Sequence, residues 1–172
     1  MRKQNTYQTG DLALVRQINL SLIMHALWTD SPISRASLSQ KTKLTKTTVS
    51  DLIKELSERG FVREIGMQTS GMGRPATLLT LNPAAGHIVS CEIGVGFIEV
   101  LVTDFAPQTI WQIKQPTRPG SSQEEIISRV LALLHEAVDR GRASADKLLG
   151  IAVGVPGMVD HSLGTILFAP NL

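Results

Sequence analysis

Helical spacing dominates the apolar positions of the first sixty residues, and strand-like runs dominate the second half of the chain. From Asp11 to about Thr29, Leu12, Val15, Ile18, Leu22, Ile23, Ala26 and Leu27 form a helical stripe, with Asp11 as N-cap. Pro32 ends it, because proline disfavours helical geometry in the residue before it. Ser34 caps a short helix over Arg35–Lys41 with Ala36, Leu38 and Ser39 turned inward, and Leu44 fills the turn that follows. Thr45 caps a further helix to Arg59, in which Val49, Leu52, Ile53 and Leu56 recur at i, i+3, i+4 and i+7; Gly60 ends it in a left-handed C′ position. Thr47, Asp51, Lys54 and Glu58 then point outward, flanked by Lys46, Thr48 and Ser50. Residues 61–65 read as a strand, 66–73 as a flexible loop and 76–81 as the returning strand.

After a Pro- and Gly-containing junction at 82–86, the segments 87–93, 97–103 and 110–114 read as strands with short connections. A helix over 123–140, capped by Ser121 or Ser122, buries Ile126, Ile127, Val130, Leu131, Leu134, Ala137 and Val138, and Gly141 stops it. Leu149–Val155 reads as another strand, and 158–172 as a hairpin around Gly164. The fold class is α+β, with domains at 11–82 and 87–172 behind a loose arm at 1–10.

Charge sharpens this division. Residues 1–82 hold eleven Lys/Arg against six Asp/Glu, a difference of +5; residues 83–172 hold six against nine, a difference of −3. The basic excess falls on the tandem helices, as expected for a surface that meets phosphates. The single cysteine, Cys91, excludes an internal disulfide and a cysteine-cluster zinc site. No apolar run is long enough to span a bilayer and the chain does not open on a signal segment, so it reads as cytosolic.

Two helices with a tight turn, followed by strand–loop–strand, describe a winged helix-turn-helix. Such a second helix needs short or flexible polar groups near its start, where base edges of the major groove come within reach. Lys46, Thr47, Thr48 and Ser50 meet that need, Lys54 can reach phosphate or guanine, and Asp51 can accept from cytosine. Arg74, in Gly73-Arg74-Pro75 at the wing tip, suits a narrow A·T minor groove. His25, His87, His135 and His161 are scattered singly and read as structural, and Asp160 as a turn residue.

The run PISRASLSQKTKLTKTTVSDLIKELSERGFVRE, then SGMGRPATLLTLNP, resembles the DNA-binding region of the bacterial ROK family (repressors, open reading frames and sugar kinases). His87–Asp104 resembles the first hairpin of that family's actin-like domain, and GIAVGVPGMVD with ILFAPNL the edge of its sugar pocket. The resemblance runs from about residue 11 to the end. It implies a winged helix-turn-helix followed by a partial actin-like (ribonuclease H-like) α/β domain, the chain stopping inside the sugar sensor.

The family's kinases carry Asp-x-Gly-x-Thr in the first hairpin, where this chain has Glu92-Ile93-Gly94-Val95-Gly96. The family's catalytic aspartate, its sugar-contacting residues and its zinc motif would lie beyond the position of Leu172. The resemblance therefore implies no catalysis, no ATP, no metal and no other cofactor. It implies instead a repressor of sugar-utilisation genes, xylose among the sugars in view. Its partners would be a double-stranded DNA operator, a second copy in a homodimer, and a sugar effector whose pocket is incomplete. The competing readings are a sugar-kinase fragment, and a non-functional remnant or dimerisation-only inhibitor.

Overall fold

The computed structural model describes residues 11–68, 76–118, 120–160 and 162–169. The chain divides into two compact units, Met1–Asn82 and Pro83–Leu172. Among the described residues no helix is long and apolar enough to cross a membrane.

The first unit runs α1 (Leu12–Asp30), β1 (Ile33–Ser34), α2 (Arg35–Thr42), α3 (Lys46–Glu58), β2 (Val62–Gln68) and β3 (Ala76–Leu81). Each helix starts on a side-chain cap. Asp11 accepts from the Ala13 N–H, Ser34 from Ser37 and Thr45 from Thr48, which satisfies amides that have no partner within the helix. Gly60, at φ 77°, closes α3 as its spacing predicts. Ile23 and Leu27 of α1, Leu38 of α2, Val49 and Ile53 of α3 and Leu79 of β3 are fully buried together. Each such side chain contributes about 1.5–3 kcal/mol by leaving water.

Three expectations for this unit change. Of the α1 stripe only Ile23, Ala26 and Leu27 are buried, whereas Leu12 is 85% and Ile18 51% exposed. Ala36 is exposed and Leu38 is the one buried residue of α2. The loop read from Gly66 starts later, because Gly66–Gln68 belong to β2, where a bulge between Glu64 and Met67 uses Gly66 at φ 123°. Residues 69–73 of that loop lie outside the described residues. The sheet has the order β1-β3-β2, and Ile33–Ser34, unassigned in the sequence, form its third strand against Leu79 and Leu78.

The second unit comprises β4 (His87–Gly94), β5 (Phe97–Asp104), β6 (Thr109–Pro116), α4 (Gln123–Arg142), β7 (Leu148–Gly154), β8 (Met158–Asp160) and β9 (Thr165–Phe168). Its main sheet has the order β6-β5-β4-β7, with β7 parallel to β4 and the other neighbours antiparallel. The period-2 alternation of β4 and β5 sends Val89, Cys91, Ile98, Val100 and Val102 to one face, where α4 covers them with Val130, Leu133 and Ala137. The opposite face is polar at its centre: Glu99 accepts from Lys114 Nζ at 2.9 Å and from Gln112 Nε2 at 2.7 Å. These donors, Lys114 first, hold the Glu99 carboxyl below its ordinary range.

The stripe predicted on α4 is displaced. Leu133 is buried while Ile127 and Leu131 are exposed, because the face turned to the sheet runs along Val130, Leu133, Ala137 and Gly141. Gly141 does not stop the helix, which continues to Arg142; it makes room for the His87 ring. Ser122, not Ser121, is the cap, in a reciprocal box with Glu125.

Candidate nucleic-acid interface

The candidate surface is the outer side of α3, and the local sequence explains its rigidity. Ser39 Oγ donates to the Leu44 carbonyl at 2.7 Å, closing the α2–α3 turn, and Lys43 adopts the left-handed conformation at φ 61°, ψ 13°. Thr45 then accepts the Thr48 N–H at 3.1 Å, and the two threonine hydroxyls lie 2.9 Å apart. Val49, Leu52, Ile53 and Leu56 pin the opposite side of α3 in the core. Glu55, near its end, pairs with Arg16 of α1 and, at 3.4 Å, with Arg59.

The helix brings Lys46, Thr47, Ser50 and Lys54 to one exposed side, with Asp51 among them. Lys54 is loosely tied, 3.9 Å from Glu58. Thr48 is turned aside: it is half-buried, bonded to the cap, and faces a hollow of about 250 Å³ shared with Leu12, Arg16 and Asn19 of α1. The predicted wing contact Arg74, with Gly73 and Pro75, lies outside the described residues, as does the arm at 1–10.

In the first unit two exposed cations that the sequence does not single out have no carboxylate partner among the described residues, Lys43 in the turn and Arg63 in β2. A positive-φ lysine carries little local signal, since glycine or asparagine is the usual residue for that conformation.

In the second unit the stretch compared with a phosphate motif forms a tight hairpin. Gly94 packs under the Phe97 ring, where a β-carbon would come within 2.2 Å of Cζ, so a packing need accounts for that glycine. Glu92 is exposed on β4 and sits opposite Glu99. Asp160 accepts from the Ser162 hydroxyl at 2.6 Å and from the Ser162 and Leu163 amides at 2.8 and 3.2 Å, a turn role as expected. Its hairpin strands β8 and β9 expose Met158, Ile166 and Phe168. His161 and residues 170–172 fall outside the described residues. Among the described residues no three His, Cys, Asp or Glu side chains gather in a metal-binding group.

A second hollow, of about 880 Å³, lies between β6 and the start of α4. Arg129 on its wall is engaged by Gln115 Oε1 and the Pro116 carbonyl, both at 3.1 Å.

Residues 16–63 match the family described as winged helix-turn-helix DNA-binding. The chain is 39% identical over 163 residues to a putative xylose repressor of Caldicellulosiruptor sp. (strain Rt8B.4), covering 95% of this chain and 41% of that protein. It is 33% identical over 163 residues to the xylose repressor of Bacillus subtilis (strain 168), covering 94% and 42%. A solved ROK family transcriptional regulator, a homologue of the E. coli MLC protein, superposes with a TM-score of 0.66 at 24% identity, over 91% of this chain and 40% of that one. The fold is therefore a winged helix-turn-helix followed by an α/β unit, shared with that regulator. The chain spans about two-fifths of the length of the curated relatives it matches.

Proposed function

From this homology to sugar repressors over two-fifths of their length, we propose that the chain is a sequence-specific DNA-binding regulator. It represses sugar-utilisation genes, those of xylose in the first instance. The observation that carries the reading is the outer side of α3: Lys46, Thr47, Ser50 and Lys54 stand exposed on a helix fixed by its cap and core face. Such a helix enters the major groove, with hydroxyls at base edges and lysines at phosphates. Arg74 of the wing reaches the flanking minor groove, and Thr48 supports the cap behind the reading side. A homodimer sets two such helices one helical turn apart on a two-fold operator. The relatives' names support a sugar effector acting through the second unit, and a regulatory rather than an enzymatic role.

The test is fluorescence anisotropy with duplexes enriched from a random pool by the full chain, repeated with xylose. Selective binding at moderate salt supports the reading. Absence of binding to any duplex at low salt would overturn it, and binding indifferent to xylose would remove the effector.

A further inference from the structure

The described cations of the first unit divide into two sets. Arg16 and Arg59 are held by Glu55, Arg35 by Glu64 at 3.0 Å, Lys41 by Asp30, and Lys54 loosely by Glu58. Lys43, Lys46 and Arg63 are exposed and have no carboxylate partner among the described residues. Arg63 follows the buried Val62, so strand alternation sends it to the other face of the sheet. It also lies at the Leu81 end of the β2–β3 ladder, away from the connection between these strands. Lys43 and Lys46, in contrast, bracket the Thr45 cap at the start of α3.

Lys43 holds a left-handed conformation, φ 61°, that costs a residue with a β-carbon energy a glycine would not spend. The turn itself is closed by Ser39, Thr42 and Leu44, and no hydrogen bond or ion pair within the described fold uses the Lys43 side chain. Conformations of this kind are held by the surrounding structure and cluster at functional sites. We propose that Lys43 contacts a backbone phosphate of duplex DNA, forming with Lys46 a two-lysine clamp across the start of α3. This deepens the DNA-binding reading above and rests on it.

The contact is sequence-independent, so it is read in the salt dependence of binding. The full chain, Lys43→Gly, Lys43→Gln and Arg63→Gln are compared by anisotropy on one enriched duplex between about 50 and 200 mM salt. Both Lys43 variants should flatten the plot of log affinity against log salt by about 0.9 per protomer. Their affinity then falls less steeply than wild type's across that range, by about threefold per protomer. Lys43→Gly should unfold at an equal or higher temperature than wild type, which separates the loss of binding from a loss of fold. Arg63→Gln removes the same charge and should leave the slope unchanged. Wild-type slopes in both Lys43 variants, or an equal loss in Arg63→Gln, would overturn the assignment while the DNA reading stands. Failure of wild type to bind any duplex would overturn both.

Discussion

The imidazole of His87 lies against the backbone of Gly141: a β-carbon at 141 would sit 2.2 Å from Cδ2 and 2.7 Å from Nε2. His87 is fully buried at the start of β4, and its Nδ1 donates to the Ala145 carbonyl at 2.7 Å. One ring thus ties the first residue of the sheet to the last turn of α4.

Gly141→Ala therefore tests whether packing outweighs helix propensity. In a free helix the change would stabilise by up to about 1 kcal/mol. Here the overpacked ring should reverse the sign, with a loss of about 1–3 kcal/mol. Urea unfolding followed by Trp111 fluorescence, in a Trp28→Phe background, isolates the second unit. A midpoint equal to or above wild type would show that the ring yields without cost.

Thr45→Ala removes the acceptor of the Thr48 N–H from the start of α3 and should cost about 1 kcal/mol. Because the reading side begins at the next residue, fraying of the first turn should weaken DNA binding as well. Thr45→Ser keeps the acceptor and should restore both. Equal stability of the alanine and serine variants in thermal unfolding would contradict the role of the cap.

Asp160 yields a pH dependence. The Ser162 hydroxyl foremost, then the Ser162 and Leu163 amides, hold its carboxyl below the ordinary aspartate value. A carboxyl depressed in the folded state contributes stability that is fully present above its unfolded value. That contribution is lost as pH falls through the lowered folded value. The Ser162 and Leu163 amide resonances should move in one transition whose midpoint lies below the ordinary aspartate value. A transition centred above about pH 4 would rule out the turn as the cause.

Much of this architecture is legible in the residues, and the losses share a physical origin. Caps and breaks are local, so Asp11, Ser34, Thr45 and Gly60 mark helix ends correctly. Periodicity shows which residues share a face but not what covers it. Hence the α1 stripe reads as buried although Leu12, Val15 and Ile18 are exposed, and the α4 stripe runs through Leu131 where Leu133 is the buried residue. Long-range pairings leave no periodic trace: Ile33–Ser34 is a strand only because β3 lies beside it. Gly141 reads as a helix stop because its partner, His87, lies 54 residues earlier in the chain. On the candidate interface, composition points to Lys46, Thr47, Ser50 and Lys54, all exposed on α3. It does not separate Thr48, whose hydroxyl is committed to the cap, nor mark Lys43, whose lack of a carboxylate partner depends on where the described carboxylates end up.

The residues of the α3 surface should separate into two kinds under substitution. Lysines at phosphates add affinity without choosing a sequence, so Lys46→Gln or Lys54→Gln should weaken enriched and scrambled duplexes by the same factor and flatten the salt slope by about 0.9 per protomer. Hydroxyls at base edges choose without adding much charge. Thr47→Ala or Ser50→Ala should therefore leave the slope unchanged and lower the preference for the enriched duplex by about tenfold, the lower part of the range for a base contact. Arg74→Ala should weaken duplexes with A·T flanks more than those with G·C flanks, because the narrow A·T minor groove concentrates negative potential. Parallel titrations of the four duplexes (enriched, scrambled, A·T-flanked and G·C-flanked) against each variant make the comparison. If the lysine and hydroxyl variants lose slope and preference alike, α3 is acting as a charged rod on the DNA, and base reading must be sought on another element.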